Sequence, residues 1–353
     1  MKKAFIKILF FFNLLVVLAL LVSYLSVFIP PDKYWLPAMF GLAYPFLLGA
    51  NLLFMVFWVL VKPRNLLLSL IFVLLGWNFI GRYFQLKADS NEEADIRVLS
   101  YNVGHFYGDG NQKREENATS IVSFLVEQNP DIICLQETRL RQKNIFDLPE
   151  TIKQIKSIQH YQYARSSNTF GMVTMTRYPI LNMQEIRFDD SRNMTIYTDV
   201  LIDSDTVRIF NVHLQSYKID PNEYAIIESP GITQEEDIKE MKEMGAKFKT
   251  AFQQRALQVR EIRKYIDESP YNVIVCGDFN DTPASYAYSC LSNGLQDAFV
   301  QSGKGIGRTY IGKLPSFRID YIFHGDGFSS FNFKTMDFRY SDHLPIACDL
   351  QKN

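Results

Sequence analysis

Residues 273–283 read VIVCGDFNDTP and decide the fold of the larger part of the chain. The first four residues are apolar and rich in β-branched side chains, which is typical of a buried β-strand, and the glycine and turn-forming residues behind them end it. Asp278 and Asn280 lie two positions apart just past this strand, so an extended backbone points both side chains to the same side. A carboxylate beside an amide suits a water, a hydrated cation or a phosphate oxygen. The structural alternative, a capping Asx turn, is equally compatible with this stretch alone.

Five further hydrophobic strands end in, or are interrupted by, polar side chains. These side chains belong to Asn102, Glu137, His213, Asp320 and the adjacent pair Asp342 and His343. One such residue is usually a hydrogen-bonded core group, but a whole set in one domain is difficult to explain by burial, because every buried charge needs a partner. We therefore expect these side chains to converge on one another and on Asp278. A structural role is expected for the three other histidines, His105, His160 and His324.

The chain resembles the endonuclease/exonuclease/phosphatase superfamily over about residues 96–350. The resemblance rests on two motifs, GDFND at 277–281 and SDHLP at 341–345, and on the order of the strand-end residues. The superfamily includes DNase I-like nucleases, abasic-site endonucleases, neutral sphingomyelinases and inositol-phosphate 5-phosphatases. The resemblance implies an α+β fold, a DNase I-like four-layer α/β/β/α sandwich with two face-to-face sheets, helices outside and the site at one edge.

The resemblance also implies a division of roles. The implied catalytic residues are His213, Asp278, Asn280, Asp320 and His343. The implied metal ligands are Asn102, Glu137 and Asp342, and the implied substrate contacts are Asn280 and Arg318. Glu137 is the best metal ligand, because a carboxylate suits hard Mg²⁺ or Mn²⁺.

Four of these assignments are more specific. In the family, the residue matching Asp278 orients or deprotonates the attacking water, and the match of Asn280 contacts a phosphate oxygen. Asp320 is expected to fix the imidazole of His343. Arg318 either contacts substrate or forms an ion pair beside Asp320. Which histidine acts as acid and which as base stays open.

The motifs leave the substrate open. Inositol 5-phosphatases typically carry Trp-Cys-Asp-Arg where this chain has FRID at 317–320, which argues against that subfamily. A phospholipid-type head group and a nucleic acid remain as substrate classes, because a fold hosts many functions.

Residues 1–87 are predicted to be a membrane anchor, because three apolar runs each approach the roughly 20 residues that cross a bilayer. The predicted spans lie at about 5–29, 35–61 and 66–86. Pro37 and Pro45 are expected to kink the second span. A cleaved signal peptide is the alternative for the first run, but its apolar core is too long and no cleavage site follows.

A polar linker at 88–95 is predicted to join this anchor to a catalytic domain at 96–353. The domain is expected to carry a charged surface insertion at about 217–245, followed by a helix over about 246–267. Basic residues before the first span and between the second and third predict an inside amino terminus and an outside catalytic domain. In a Gram-negative cell the domain would lie on the periplasmic side of the inner membrane.

Charge also distinguishes the two parts. Residues 1–88 hold eight Lys and Arg residues against one Asp, a net charge of +7, and the remainder holds 29 against 37 acidic residues, a net charge of −8. A domain that grips long duplex DNA usually carries a basic face, which this composition does not supply in bulk.

Together these features predict a membrane-anchored, Mg²⁺- or Mn²⁺-dependent phosphodiesterase that hydrolyses its substrate by attack of water. Its expected partners are the lipid bilayer and a phosphodiester, either phospholipid or nucleic acid, and no feature indicates a protein partner. The alternative is a non-catalytic membrane-tethered binding module that retains the fold. That alternative predicts the loss of catalytic carboxylates or histidines, and the family's main positions are all present.

Overall fold

The computed structural model of the chain describes residues 2–91, 93–108, 113–139, 145–166, 170–219, 235–313, 315 and 317–353. The amino-terminal part is helical, with α1 (Lys2–Leu25), α2 (Leu36–Leu42), α3 (Tyr44–Val61), α4 (Leu66–Leu75) and α5 (Trp77–Tyr83). Helices α1 and α3 are long and apolar enough to cross a membrane, and α4 with α5 forms a third span if the bent pair counts as one.

The second and third predicted spans are both interrupted. Pro37 and Pro45 each stand in the first turn of a helix, so the second span is the two helices α2 and α3 rather than one kinked helix. Helices α4 and α5 are bent by 63° at a break, which falls at Gly76. A Cβ at Gly76 would lie 2.1 Å from the Tyr24 hydroxyl oxygen, so glycine allows the bend to pack against α1.

A buried polar cluster joins α1, α3 and α4. Asn13 Nδ2 donates to Ser69 Oγ at 2.7 Å, and Trp58 Nε1 donates to Asn13 Oδ1 at 2.8 Å. All three side chains are fully buried. Hydrogen bonds of this kind stabilise helix association in apolar surroundings, so the helices form one bundle.

The strands are, in chain order, β1 (Phe84–Gln85), β2 (Ile96–Asn102), β3 (Ile132–Arg139), β4 (His160–Arg165), β5 (Phe170–Thr176), β6 (Ile180–Arg187), β7 (Met194–Ile202), β8 (Asp205–His213), β9 (Asn272–Asp278), β10 (Gln296–Asp297), β11 (Gly305–Ile306), β12 (Asp320–His324), β13 (Phe328–Thr335) and β14 (Ile346–Lys352). One six-stranded sheet has the order β13-β14-β2-β3-β5-β4, and the other has the order β10-β12-β9-β8-β7-β6. Strand β1 pairs with β11 in a separate two-stranded ladder.

The two large sheets pack face to face. In β9, Ile274 and Cys276 lie in the core between the sheets, whereas Val273 and Val275 belong to the core under the outer helices. Burial on both faces explains why this strand reads as an unbroken apolar run instead of alternating.

Helices cover the outer faces of both sheets. They are α6 (Arg114–Gln128), α7 (Leu148–Gln154), α8 (Glu235–Asp267) and α9 (Tyr286–Ser292). The short helix α10 (Ala298–Ser302) instead packs Ala298 and Phe299 into the core between the sheets. Ile121 and Leu125 of α6 pack with the first sheet, and Val259 and Ile262 of α8 pack with the second. The four-layer α/β/β/α order expected from the resemblance is therefore confirmed.

The predicted surface insertion is only partly described. Residues 220–234 lie outside the described residues, and from Glu235 the chain is helical without a break to Asp267. The helix predicted over 246–267 is therefore the second part of a longer helix that begins inside the predicted insertion.

The predicted linker at 88–95 is fastened to the first sheet. The backbone N–H of Asn332 donates to Asp89 O at 3.0 Å, and Asn332 Nδ2 donates to Asn91 O at 2.7 Å. Asn91 Nδ2 in turn donates to Gln351 Oε1 at 2.8 Å. These bonds limit the movement of the sandwich relative to the helices.

The helical bundle also contacts the sandwich directly. Asp32 accepts two hydrogen bonds from the Arg260 guanidinium, both at 2.8 Å. Ser26 Oγ donates to Ala284 O at 2.7 Å, and a Cβ at Gly41 would lie 2.2 Å from the same oxygen. The bundle is thus docked against the loop that follows the VIVCGDFNDTP strand.

Candidate active site

Strand ends from both sheets bring polar side chains to one edge of the sandwich. In the second sheet, His213 lies opposite Asp278 on parallel strands, and Asp320 lies opposite Asp278 on antiparallel strands. In the first sheet, Asn102 is in register with the residue before Glu137. Residues directly opposite each other point to the same face, so His213, Asp278 and Asp320 share one face of the second sheet.

Asp278 lies at the centre of this group and is 1% exposed. Its Oδ2 accepts from Asn102 Nδ2 at 2.9 Å and from Asn280 Nδ2 at 3.0 Å. Its Oδ1 accepts from the Asn280 backbone N–H at 2.8 Å, so the Asx turn is also present. Asn102 Oδ1 accepts from the Gly104 backbone N–H at 3.0 Å. Burial raises the pKa of Asp278 to about 6, against the opposing charge of His343.

His343 is oriented by a buried carboxylate. Its Nδ1 lies 2.9 Å and 3.1 Å from the two carboxylate oxygens of Asp320, so Nδ1 carries a hydrogen. Its Nε2 lies 3.8 Å from Asp278 Oδ2. Burial acts to lower the pKa of His343, but the charges of Asp320 and Asp278 outweigh it and hold the pKa well above its usual value.

A second carboxylate–imidazole pair lies on the other side of Asp278. Glu137 Oε1 is 3.4 Å from His213 Nε2, and this nitrogen is 3.8 Å from Asp278 Oδ2. Glu137 Oε2 is 3.0 Å from His105 Nε2. Burial acts to raise the pKa of Glu137, but the neighbouring histidines lower it to about 2. Burial likewise opposes the charged form of His213, and Glu137 outweighs it and raises the pKa of His213.

Two residues of the site have left-handed backbone conformations. Glu137 has a φ of 55° and Asn280 a φ of 51°, a region that asparagine tolerates and glutamate rarely adopts. The ladder of β3 with β5 shifts register between Leu135 and Thr138. Such a bulge re-aims a side chain, so the shift places the Glu137 carboxylate over the strand ends.

The side chains present fit a hard divalent cation. Glu137, Asp342 and Asp278 line one pocket, and oxygen donors of this kind suit Mg²⁺ or Mn²⁺. The ligand atoms of Asp278, Asp320 and His343 also lie within 4.8 Å of one another. Asp320 is paired with His343, and Glu137 is likewise paired with His213 and His105, so the assignment of the cation to Glu137 rests on the family resemblance.

Arg318 does not lie at this pocket. It is 3% exposed, and its Nη1 donates to the Asp297 carboxylate at 2.8 Å and 3.1 Å. Its Nη2 donates to Arg82 O at 2.7 Å. The ion-pair partner of Arg318 is therefore Asp297 and not Asp320. Its remaining donor faces the docked helices and not the pocket, so the suggested contact with substrate is not seen.

Two residues at the site were not predicted. His105 stacks on Phe170 with ring centroids 4.1 Å apart, and its Nδ1 lies 3.1 Å from Glu137 O. Tyr310 forms an isolated β-bridge with His343, and the two rings meet edge-on at 5.4 Å. The position of His105, three residues after Asn102, is a weak signal in the sequence, whereas nothing in the sequence marks Tyr310.

The fold and the strand-end site together define a DNase I-like sandwich protein with a phosphoesterase type of site. The sequence profile of the endonuclease/exonuclease/phosphatase family matches residues 99–343, and that of a domain of unknown function matches residues 6–83. The family match spans more than half of the chain. The chain belongs to the endonuclease/exonuclease/phosphatase family.

Solved structures share the fold at low sequence identity. An endonuclease/exonuclease/phosphatase family protein from Leptotrichia buccalis is 17% identical with a TM-score of 0.51, over 73% of this chain and 100% of that one. The human Nocturnin catalytic domain with bound sulfate is 17% identical with a TM-score of 0.52, over 73% and 94%. The Bacteroides thetaiotaomicron mannosyl-6-phosphatase Bt3783 is 15% identical with a TM-score of 0.52, over 72% and 99%. The search of curated proteins gave no match.

Proposed function

We propose that the chain is a membrane-anchored, divalent-metal-dependent phosphodiesterase. The observation that carries this proposal is the position of Asp278 between two imidazoles, His343 and His213, each of which pairs with its own carboxylate. Phosphoryl transfer to water needs an oriented nucleophile, positive charge near the phosphoryl oxygens and a proton for the leaving oxygen. The strand ends at this edge of the sandwich supply groups for all three tasks.

Asp278 orients and deprotonates the attacking water. A pKa of about 6 makes it a stronger base than an exposed carboxylate, while it is still ionised at neutral pH. The amides of Asn102 and Asn280 both hold its Oδ2, which fixes the direction of the carboxylate. Asn280 is also the residue placed nearest to a phosphate oxygen by the family resemblance.

The two imidazoles supply positive charge and a proton. The raised pKa of His343 and of His213 favours the imidazolium form of each ring. Asp320 fixes His343 so that Nε2 is the nitrogen turned toward Asp278. One ring stabilises the phosphoryl oxygens, and the other protonates the leaving oxygen.

Glu137, Asp342 and Asn102 would hold Mg²⁺ or Mn²⁺. The cation, when bound, supplies further positive charge opposite the phosphoryl oxygens. The low pKa of Glu137 supports this assignment, because its carboxylate stays ionised and available over the whole physiological range.

The fold relatives support the reaction type without selecting a substrate. One of them is named a mannosyl-6-phosphatase, and one holds a bound sulfate. At these identities their own substrates do not transfer to this chain.

The anchor is proposed to lie in a bacterial inner membrane with the catalytic domain outside. Lys2 and Lys3 precede the first span, and Lys62 and Arg64 lie between the second and third. Basic residues concentrate on the cytoplasmic side of membrane proteins.

Hydrolysis of bis(p-nitrophenyl) phosphate by the full-length protein tests the proposed function. Asp278→Asn and His343→Gln are each expected to lower kcat/KM by ~10²–10³-fold, and a chelator is expected to abolish activity until Mg²⁺ or Mn²⁺ is restored. Asp337→Asn is the matched control, since Asp337 is 74% exposed and pairs with Arg339 away from the pocket. Full activity in excess chelator, or in Asp278→Asn, would contradict the proposed mechanism, whereas no hydrolysis by the wild-type protein would favour a binding module.

A further inference from the structure

A single pocket of about 460 Å³ connects the candidate active site to the helical bundle. Its polar end is lined by Glu137, Asp278, Asn280, Asp342 and His343. Its other end is lined by Met39, Leu42, Ala43 and Phe46, from α2 and the start of α3. The volume is in the range of small-molecule sites, about 300–1,000 Å³, so one ligand can reach both ends.

The apolar wall is shared between the bundle and the sandwich. Phe317, Met244 and Phe248 line the pocket from the sandwich side. Phe46 and Phe317 meet edge-on with ring centroids 6.3 Å apart. Phe46 is also 60% exposed, and it belongs to α3, which is apolar and long enough to cross a membrane. The apolar end of the pocket therefore opens where the bilayer would begin.

The distance between the catalytic groups and the bundle is fixed by the loop at 281–284. Ser26 Oγ donates to Ala284 O at 2.7 Å, and the Ala284 N–H donates to the Tyr83 hydroxyl oxygen at 3.2 Å. This loop follows Asn280 directly. The strand end that carries Asp278 is thus held next to the ends of α1 and α5.

We infer that the substrate is a membrane lipid with a phosphodiester head group, bound with its phosphate at Asp278 and its hydrocarbon chain against Met39, Leu42 and Phe46. The inference rests on the proposed phosphodiesterase function and names its substrate class. Exposed Lys218 lines the same pocket and adds a positive charge for the phosphate. A nucleic acid is less well matched, because residues 89–353 carry a net charge of −8 and a long polyanion gains affinity from basic contacts.

The reaction balances without a further reactant. The oxygen of water forms a bond to phosphorus, and one P–O ester bond of the head group breaks. The proton of the water passes to Asp278, and an imidazolium gives a proton to the leaving oxygen. The products are a phosphate monoester and an alcohol, one of which keeps the hydrocarbon chain.

The test compares three substrates with the full-length protein in detergent and Mg²⁺. They are micelles containing phosphatidylglycerol and phosphatidylethanolamine, the soluble bis(p-nitrophenyl) phosphate, and a single-stranded oligonucleotide. Wild-type kcat/KM is expected to be at least tenfold higher for the lipid than for the oligonucleotide. Phe46→Gln is expected to lower the ratio of lipid to soluble-diester activity about tenfold, because the apolar contact between the ring and the hydrocarbon chain of the lipid is lost. Phe46→Leu keeps an apolar side chain and is expected to retain most of the wild-type ratio.

Phe28→Gln is the matched control. Phe28 is 72% exposed near the same end of the bundle and does not line the pocket, so its substitution is expected to leave the ratio unchanged. An unchanged ratio in Phe46→Gln, or a preference for the oligonucleotide, would overturn the inference. Hydrolysis of the soluble diester without the lipid would overturn the lipid assignment and leave the proposed function standing. Hydrolysis of none of the three would overturn both.

Discussion

Asp278 is buried, and its proposed role as a base requires its carboxyl group to be ionised. Burial removes the water that would stabilise its ionised form, and this is the main cause of its raised pKa. The charges of His343 and His213, and the hydrogen bond from the Asn280 backbone N–H, limit the rise. The balance leaves a carboxylate that is basic enough to accept a proton from water and still ionised near neutral pH.

The pH dependence expected for the proposed hydrolysis follows from the pKa of Asp278. Asp278 must be deprotonated to act as a base, and its pKa is raised to about 6. We expect kcat/KM to rise about tenfold per pH unit below 6 and to level off above it. A pH–rate profile at saturating Mg²⁺ measures this dependence. The Asp337→Asn control is expected to give a profile of the same shape as the wild type. A profile that is flat between pH 5 and 7 would contradict the assignment of Asp278 as the base.

Single residues were predictable where a local pattern marked them. Asp278, His213 and Glu137 stand out because each ends an apolar run, and an alternating backbone fixes the direction of Asp278 and His213. The direction of Glu137 depends instead on the bulge between β3 and β5. The partner of Arg318 was not predictable, because Asp297 lies 21 residues away and pairs with it only after β10 and β12 have aligned. His105 was missed because its approach to Glu137 depends on a φ of 54°.

At the scale of elements, helix α2 and the loop at 281–284 share one close contact. Gly41 faces Ala284 O so closely that a Cβ would lie 2.2 Å from it. The atom in the way is backbone, so it has little freedom to move aside. Any side chain at Gly41 therefore has to push α2 away from the loop at 281–284, which directly follows Asn280.

Gly41→Ala is expected to destabilise the protein by ~1–3 kcal/mol through this overpacking and to lower lipid hydrolysis. Gly49→Ala is the matched control, because a Cβ at Gly49 in α3 meets nothing within 4 Å. That change is expected to be neutral or stabilising by up to ~1 kcal/mol, since alanine is the better helix former. Thermal unfolding in detergent compares the two, and equal midpoints would show that α2 is not held against the loop.

The elements themselves were largely predictable, and their breaks were less so. The apolar runs of α1 and α3 and the two-sided burial of β9 follow from composition and periodicity. The bend at Gly76 follows from packing against Tyr24, a contact between residues far apart in the chain. The separation of α2 from α3 follows from proline at the start of each helix.

At the scale of the whole molecule, the connections between the helices lie alternately at the end of the bundle that meets the sandwich and at the opposite end. The residues after α1 meet the sandwich through Ser26 and Asp32, and α5 leads into β1, which pairs with β11. The turn between α3 and α4, at 62–65, lies at the other end of the bundle. If the bent pair α4–α5 counts as one span, the chain runs between the two ends of the bundle three times, and it enters and leaves at opposite ends.

Topology reporters test this arrangement. A reporter that is active only outside the cytoplasm is expected to be active when fused after Asn353 and inactive when inserted at 62–65. A reporter that is active only in the cytoplasm is expected to show the reverse pattern. Cytoplasmic activity at Asn353 would show that the predicted orientation is wrong or that one of the three runs does not span.

The division into an apolar, basic part and an acidic part was visible in the sequence, because composition changes sharply near residue 88. The docking of these parts was not visible. It depends on Arg260, Ser26 and the Arg82 carbonyl, which are ordinary in type and position. Contacts between distant segments form only in the folded chain, so local patterns do not report them.

The β1–β11 ladder and the fastened segment around Asn91 have a kinetic consequence. A catalytic domain on a long flexible linker would sample the surrounding solution, whereas the proposed anchor would confine this domain to a thin layer at the membrane surface. If the substrate is the lipid inferred above, the protein would meet it by lateral diffusion in two dimensions. Turnover would then depend on the mole fraction of that lipid in the leaflet, and dilution of the cell suspension would leave it unchanged.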